Sequence, residues 1–464
     1  MKKTFLLSLI LVAVCGAVIG TLLLKPRENI VVRPGDDVQA AIDAVADAGT
    51  VVLEDGQYEV LKPIRITRPG VTLTAANPRA ARLVVSNEFV GNPKTNKGTL
   101  IRVDSANVTI RDLVLDGQFI VLQKAIEATD TDDEESQSHG LVVDNCEIFH
   151  FTHHAIDIDG DDATVRECLI YENLLFENGA RQDVHGVVTT NAQRLTVENC
   201  TIRNCSGDCV QGERGIWDML TIVDCELSGG ALPTDLGGFK KGDYASENAF
   251  DSKHRSQSRG RVAIRNCTMH GFRTDFRDYM AAVVLKENVD AVIDSCEISD
   301  SSIALRLRGL GKGVMRPVVM NCMIRGNDLA FRLEDQLQKF RLLHCTIVDN
   351  EKQTVWAPGK RRWKDKWDNS EWALVNNLWV APETVPELAT AQELGAAGNA
   401  VVERSEVDDR LVPLHPLPGI DVPPVVDEWY ESTGRVVQDK DGTARLSPST
   451  VGAFEWRDGS GQSP

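Results

Sequence analysis

Basic side chains recur at one position of successive short segments in the second half of the chain. The segments are Asp251-Ser252-Lys253, Leu285-Lys286 and Leu307-Arg308. Side chains alternate between the two faces of a β-strand, so these cations are predicted to point outward from mostly apolar strands. Like charges stacked on adjacent strands repel one another. The sequence therefore predicts that this column binds an anion.

Three further candidates lie near this column. Arg306 and Arg332 occupy the outward position two residues earlier on their own strands, and His254 directly follows Lys253. A neighbouring cation depresses the pKa of a lysine, which favours a neutral amine that can accept a proton. The candidate catalytic residues are Lys253, Lys286 and Arg308, and the candidate substrate-binding residues are Arg306, Arg332 and His254.

Carboxylates dominate the corresponding outward positions nearer the N-terminus. The predicted outward residues there are Asp157, Asp159, Thr189, Asn191, Gln211, Glu213 and Asp251. Oxygen ligands on neighbouring strands suit Ca²⁺. The sequence predicts a weak calcium site formed by Asp208, Glu213 and Asp251. The alternative is surface charge that neutralises itself.

The repeat that positions these residues is marked by cysteine. Eight cysteines stand in one short phrase, a polar residue before the cysteine and an apolar residue two positions after it: Cys146, Cys168, Cys200, Cys225, Cys267, Cys296, Cys322 and Cys345. A phrase recurring every 22 to 42 residues is typical of a solenoid. One phase on every coil predicts a buried column of thiols. Cys205 and Cys209 stand outside the column and are predicted to form a disulfide.

The beginning of the repeat region carries a helix signal and a recognisable phrase. Pro34-Gly35-Asp36-Asp37 precedes the apolar pattern of residues 38–45 and predicts a capped amphipathic helix that covers the open end of the solenoid. With the following Gly49-Thr50-Val51-Val52-Leu53, the chain resembles the pectin-lyase-like superfamily over roughly residues 30 to 380. The resemblance implies an all-β fold, a single-stranded right-handed parallel β-helix with an N-terminal capping helix.

The resemblance also implies a place for the chemistry. Many polysaccharide lyases of this superfamily use the outward strand stripe, bind Ca²⁺ through acidic residues and employ Lys or Arg as the base. Residues 247–254 are similar to the region of alginate and chondroitin lyases that carries the catalytic lysine, which implies that Lys253 is the base. Lys286 falls where those lyases carry an arginine.

Composition and the termini limit the cellular role. The 464 residues include 50 Lys and Arg against 68 Asp and Glu, and the net charge of −18 argues against nucleic acid as a partner. Residues 1–27 combine a basic start with an apolar run and predict a signal peptide or an N-terminal membrane anchor. The β-helix is predicted over residues 28–380 and a C-terminal cap or tail over 381–464. A monomer outside the cytoplasm is expected, secreted, periplasmic or anchored by the N-terminal segment alone.

Three functions remain open from the residues. The first is β-elimination on an anionic, uronic acid polysaccharide, in which the carboxylate is neutralised and Lys253 removes the C5 proton. The second is glycoside hydrolysis, which needs two carboxylates about 5 to 10 Å apart. Residues that could supply them are Asp157, Asp159, Asp161 and Asp162. The third is a non-catalytic protein that binds a glycan or forms a surface structure.

Overall fold

The structure is a computed structural model. It describes residues 27–91, 98–120, 123–128, 138–255, 258–273, 280–309, 315–334, 337, 339–356, 371–382, 386–392, 395–422, 430, 438–445 and 449–455. The predicted signal or anchor, residues 1–27, lies outside this range except for its last residue. No helix of the described residues is long and apolar enough to cross a membrane.

Three long parallel sheets account for almost all strands of the described residues. Sheet A contains β1 (Arg27–Val32), β2 (Val45–Leu53), β5 (Thr72–Ala75), β8 (Thr109–Arg111), β11 (Val142–Asp144), β14 (Thr164–Arg166), β19 (Thr196–Glu198), β22 (Leu220–Val223), β25 (Gly260–Arg265), β28 (Val289–Asp294), β31 (Arg316–Met320), β34 (Arg341–Leu343), β37 (Ala373–Val375) and β39 (Ala396–Ala397).

Sheet B contains β3 (Gly56–Val60), β6 (Ala81–Val85), β9 (Leu113–Asp116), β12 (Glu147–Phe149), β15 (Leu169–Tyr171), β20 (Thr201–Arg203), β23 (Glu226–Ser228), β26 (Thr268–His270), β29 (Glu297–Ser299), β32 (Met323–Arg325), β35 (Thr346–Val348), β38 (Leu378–Val380) and β40 (Ala400–Val402).

Sheet C contains β4 (Ile64–Ile66), β7 (Gly98–Val103), β10 (Gln123–Ala128), β13 (Ile156–Ile158), β18 (Val187–Thr189), β21 (Val210–Gly215), β24 (Phe250–His254), β27 (Val283–Lys286), β30 (Ile303–Arg308), β33 (Leu329–Leu333) and β36 (Lys352–Trp356). A short hairpin joins β16 (Phe176–Glu177) to β17 (Ala180–Arg181), and the helices are α1 (Val38–Ala44), α2 (Glu387–Thr390) and a 3₁₀ turn (Arg404–Glu406).

Each coil visits sheet C, then sheet A, then sheet B, and each strand pairs in parallel with the strand of the next coil. The inward side chains of all three sheets form one continuous apolar core that extends from Val32 to Ala396. A single coil cannot bury its own apolar face, so stacking supplies the stability. The predicted right-handed parallel β-helix is confirmed.

The corner between sheets A and B explains the recurring cysteine phrase. The residue before each of the eight cysteines is left-handed, with φ between 49° and 57°: Asn145, Glu167, Asn199, Asp224, Asn266, Ser295, Asn321 and His344. Asn and Asp adopt this conformation at lower cost than most residues. The cysteine then turns inward, and the Sγ of Cys296, for example, lies 3.3 Å from the carbonyl oxygen of Asp294. All eight cysteines are buried and free, which confirms the predicted column.

The predicted disulfide between Cys205 and Cys209 is wrong. Both residues are free and fully buried. The Sγ of Cys209 lies 3.3 Å from the carbonyl oxygen of Ile202, and that of Cys205 lies 3.9 Å from the carbonyl oxygen of Arg203. Burial raises the pKa of Cys205 to about 12. Both thiols therefore act as small buried side chains.

The N-terminal helix forms where the sequence predicts it. The side chain of Asp37 caps α1 by accepting a hydrogen bond from the backbone N–H of Ala40 at 3.1 Å. Val38, Ala41 and Ile42 are buried, and the helix contacts β1, β2 and β4. The helix thus lies against the first strands of the solenoid, and its role in protecting that end stays a prediction.

The structure corrects the predicted facing of β18. Val187 pairs with Ile156, so Thr189 points inward and is buried, and the prediction that Thr189 faces outward is wrong by one residue. Asn191 follows the strand and is exposed, as predicted. The small residue that starts this strand is Gly186. A Cβ there would lie 2.5 Å from the carbonyl oxygen of Cys209, so only glycine fits.

The ten cysteines of the described residues are buried and free, which makes their reactivity a test of the fold. Native protein should react slowly with a thiol reagent, whereas unfolded protein should be labelled at all ten without prior reduction. Mass spectrometry counts the labels. A cysteine introduced at the exposed Lys240 is the control and should react rapidly in the native state. A requirement for reductant at Cys205 and Cys209 would contradict the assignment.

Candidate active site on the outer face of sheet C

The outer face of sheet C carries the charged surface that the sequence predicts. Strand register places Asp251 beside Gln211 and Lys286 beside Arg308. On each strand, the residues that alternate with these outward residues, such as Leu285, point inward and are buried in the core. We call the outward residues of this surface the stripe: Gln211, Glu213, Asp251, Lys253, Lys286, Arg306, Arg308, Arg332 and Glu334.

A chain of ion pairs neutralises the same face on the N-terminal side of the stripe. The chain runs Arg65, Asp104, Arg102, Glu127, Lys124 and Asp157, with N–O distances between 2.5 and 3.1 Å. Burial raises the pKa of Asp157 to about 6, although Lys124 lies 2.6 Å away and opposes the shift. At this end of the sheet the cations and anions therefore neutralise one another, which is the alternative that the sequence analysis left open.

The other aspartates considered for hydrolysis hold turns. Asp159 and Asp161 accept hydrogen bonds from backbone N–H groups of the next coil at 2.8 to 3.0 Å. Asp162 pairs with Arg194 at the surface. These carboxylates are therefore engaged in local structure.

Lys253 lies between two carboxylates at the centre of the stripe. Its Nζ is 3.1 Å from Glu213 Oε2 and 4.0 Å from Asp251 Oδ2. The Nζ of Lys286, on the next strand, is 2.7 Å from the same Asp251 oxygen. The Asp251 side chain is 4% exposed, whereas those of Lys253 and Glu213 are 28% and 39% exposed. Lys253 and Glu213 therefore form the solvent side of the cluster.

The predicted lowering of the Lys253 pKa by Lys286 is wrong. Burial alone would lower the pKa of Lys253, but the carboxylates of Asp251, Glu213 and Asp208 outweigh it and raise that pKa. Lys286 forms an ion pair with Asp251, and its charge does not outweigh the carboxylates around Lys253. Lys253 is therefore an ammonium group at neutral pH in the free protein.

The two carboxylates beside Lys253 differ in acidity. Burial raises the pKa of Asp251 to about 6, against the opposing effect of Lys286 and Lys253. Burial would also raise the pKa of Glu213, but the backbone N–H of Arg214 and the charge of Lys253 lower it. The site thus holds one weak and one strong carboxylic acid within reach of one ammonium group.

The three carboxylates predicted to bind calcium are all engaged by other side chains of the protein. Asp208 is fully buried and accepts hydrogen bonds from Gln211 Nε2 at 2.7 Å and Asn248 Nδ2 at 2.6 Å. Asp251 and Glu213 face the lysine ammonium groups described above. Among the described residues, no group of three or more His, Cys, Asp or Glu side chains could hold a metal ion. Calcium binding stays an untested prediction, and no chemical step is assigned to it.

Glu334 gathers three arginines at the C-terminal end of the stripe. Its carboxylate lies 2.8 Å from Arg306 Nε, 2.8 Å from Arg332 Nε and 3.3 Å from Arg308 Nε. Burial would raise the pKa of Glu334, but the hydrogen bonds and charges of Arg306 and Arg332 lower it. Arg306 is itself buried, so of the predicted substrate-binding arginines only Arg332 reaches the surface.

His254 does not line the stripe, and its predicted role in substrate binding is corrected. The ring is buried, with Nε2 2.9 Å from the carbonyl oxygen of Trp217 and Nδ1 3.0 Å from that of Arg255. The rings of His254 and Trp217 meet edge to face, with their centroids 5.0 Å apart. His254 directly follows the outward Lys253 in β24, so the alternation of side chains turns it inward, as it does Phe250 and Ser252.

The sequence analysis missed two features beside the stripe. One is the cation of Arg214, and the other is a surface formed by two long connections, which we call the wall. Arg214, in the bulged part of β21, pairs with Glu287, whose other oxygen accepts a hydrogen bond from the His254 N–H at 3.0 Å. The wall consists of residues 172–186 and 229–249, whose apolar side chains pack together. The 42 residues between Cys225 and Cys267 in the repeated phrase indicate only that one coil is longer than the others.

Arg181 ties the two parts of this wall together. The Arg181 guanidinium lies in the first connection and is 3.0 Å from the carboxylate of Glu247 in the second. Phe176 and Phe239 pack across the same boundary, with ring centroids 5.2 Å apart. Because Glu247 leads directly into β24, the wall is anchored next to Asp251 and Lys253.

Comparison with known families supports the architecture. Residues 134–218 and 185–362 match the family model described as the right handed beta helix region. No curated protein sequence matches the chain. The chain has the fold of the right-handed parallel β-helix superfamily, and no narrower family is assigned.

Solved structures with similar folds include enzymes that act on polysaccharides. The A-module of the mannuronan C-5 epimerase AlgE6 from Azotobacter vinelandii is 15% identical over 70% of this chain and 92% of that chain, with a TM-score of 0.48. An alginate lyase from Paenibacillus sp. is 13% identical over 72% and 99%, with a TM-score of 0.43. The pectate lyase Pel9A is 13% identical over 94% and 91%, with a TM-score of 0.41. None of these assigns a function to this chain.

Removing the carboxylate that Glu334 supplies should destabilise the fold. Glu334→Gln leaves three guanidinium groups without their buried partner, and we expect the free energy of unfolding to fall by about 3 kcal/mol. Chemical denaturation measures it. The control is Glu297→Gln, which removes an ion pair with Arg325 at the surface of sheet B and should cost less than about 1 kcal/mol. Equal losses in the two variants would contradict a special role for Glu334.

Proposed function

We propose that the protein cleaves an anionic polysaccharide, a polymer of uronic acid units, by β-elimination on the stripe. The observation that carries the proposal is a local excess of positive charge. The chain has a net charge of −18, yet the stripe holds five cationic side chains against three carboxylates. A cationic surface on an acidic protein favours a negatively charged ligand.

The form of the stripe favours a polymer over a small molecule. Neighbouring strands of a sheet lie about 4.8 Å apart, so the outward residues of sheet C repeat along the solenoid axis. The wall formed by residues 172–186 and 229–249 leads into two of these strands, β18 and β24. A linear ligand with repeated acidic groups can contact several coils at once, whereas a monosaccharide would contact one or two.

The central cluster supplies the groups that elimination requires. Positive charge from Lys286, on the strand next to Lys253, can neutralise the substrate carboxylate and so acidify the C5 proton. Lys253 is the exposed amine at the centre of the cluster and acts as the base in this proposal. Its raised pKa means that the neutral amine becomes available only as the pH rises. Elimination is therefore expected to be faster at alkaline pH.

One observation favours hydrolysis as a second candidate. The pKa values of Asp251 and Glu213 are moved in opposite directions, although both carboxylates lie near the same ammonium group. A pair divided in this way can supply an acid and a base or nucleophile. Hydrolases use such pairs at separations of about 5 to 10 Å. Asp251 would be the acid, and Glu213 would be the ionised partner.

The proposed location follows from the N-terminal segment. Residues 1–27 have the pattern of a signal peptide or membrane anchor, and a protein that acts on a polysaccharide outside the cytoplasm needs export. We propose a monomer in the periplasm or outside the cell, with membrane contact through that segment alone.

A panel of uronate polymers tests the activity and its residues. Elimination produces an unsaturated product that absorbs ultraviolet light, and hydrolysis produces only new reducing ends. Lys253→Ala should abolish the unsaturated product while leaving the thermal midpoint nearly unchanged, because a partly exposed lysine contributes little to stability. Lys240→Ala, at an exposed ion pair with Asp235, is the control and should keep full activity. Binding without either product would instead indicate a non-catalytic glycan-binding protein.

The pH dependence separates the two reactions. Glu213→Gln removes an anion that raises the Lys253 pKa, so the rise of kcat/KM for elimination should move to lower pH by roughly one unit. If Glu213 is instead the base or nucleophile of a hydrolase, the same variant should lose nearly all activity. Asp235→Asn removes a surface carboxylate outside the stripe and should leave the profile unchanged.

A further inference from the structure

Two guanidinium groups at the C-terminal end of the stripe are engaged on one side only. Arg308 and Arg332 each approach the Glu334 carboxylate through Nε, at 3.3 and 2.8 Å. Among the described residues, neither of these arginines donates a hydrogen bond from its Nη groups. A guanidinium held at Nε still presents two parallel Nη–H donors, the arrangement that matches a carboxylate or sulfate.

The buried carboxylate makes these donors rigid and leaves positive charge in excess. The Glu334 side chain is 8% exposed, and Arg306 binds it from within the protein. One carboxylate cannot neutralise three arginines. The side chains of Arg308 and Arg332 are 33% and 27% exposed, so their donors are accessible to a ligand. Orientation before binding reduces the entropy that a ligand contact costs.

We propose that Arg308 and Arg332 form an oxyanion-binding subsite for a second acidic unit of the same polysaccharide. The inference rests on the proposed function and assigns Arg308 to binding rather than to catalysis. Arg308 lies two strands from Lys253, or about 10 Å at the usual strand spacing. A ligand that occupies both places carries acidic groups on more than one of its units. The acidic group is a carboxylate or a sulfate ester.

A length series of ligands tests this subsite. All proteins carry Lys253→Ala, so that elimination does not consume the ligand, and calorimetry measures binding of galacturonate oligomers from one to six units. The affinity of this parent should rise with length. Arg308→Gln and Arg332→Gln should each weaken the longest oligomer about tenfold, the loss of one charged contact, without changing the affinity for the monomer. Arg308→Lys and Arg332→Lys keep the charge beside Glu334 and should weaken it less.

Controls and a second series make each outcome decisive. Arg325→Gln removes an arginine of sheet B, outside the stripe, and should bind like the parent. Sulfated dextran oligomers of equal length distinguish the two anions, since the series with the larger loss identifies the group bound. The subsite is overturned if Arg308→Gln and Arg332→Gln match Arg325→Gln in both series, or if the parent binds neither series. A wild type that cleaves no uronate but shows these binding losses refutes cleavage and supports the subsite.

Discussion

Parallel pairing of every strand with the strand one coil away is the constraint on which the rest of the structure depends. The pairing keeps equivalent residues of successive coils in columns, so each residue lies beside the residue at the same position of the next coil. The left-handed corner before each cysteine of the repeated phrase ends the sheet A strand and starts the sheet B strand at the same height. Once these corners are in register, the outward face of sheet C has no freedom to reorder its side chains.

Charge on that face is organised by carboxylates of low exposure. Asp251 holds Lys286 and lies near Lys253, and Glu334 holds the arginines of the C-terminal end. A buried carboxylate is costly unless cations and hydrogen bonds surround it. The cations are consequently fixed in place before any ligand arrives. On the N-terminal side, cations and anions alternate in a linear chain of ion pairs and neutralise one another, so the local excess of positive charge lies in the stripe.

The sequence predicted the features that depend on a residue's position within the repeat. It failed at the features that depend on contacts between residues far apart in the chain. The thiol column and the outward direction of Lys253 and Lys286 follow from residues repeated at one position of the coil. Thr189 was misplaced because Gly186, not Val187, is the small residue that precedes the inward position of β18. His254 was assigned to the surface although alternation from Lys253 turns it inward. The raised pKa of Lys253 depends on several carboxylates brought together only by folding. Such neighbours are far apart in the chain and leave no local pattern.

The wall beside the stripe is a second feature that the sequence alone did not predict. Its two connections meet through Phe176 and Phe239, which are distant in sequence and carry no recurring phrase. A lengthened coil is visible as an extra spacing between cysteines, but its contact partner is not. The residues that form this wall are for this reason the hardest to identify from the sequence.

The column of free thiols also bears on how the protein reaches its native state. If the chain is exported as proposed, it crosses into an oxidising compartment while its cysteines are still exposed. A disulfide between two neighbouring corners would trap coils that have not yet docked. Each coil that docks on its predecessor withdraws one more thiol from the oxidant. The yield of native protein then depends on whether coils dock faster than their cysteines are oxidised, and disulfide-forming enzymes would lower that yield.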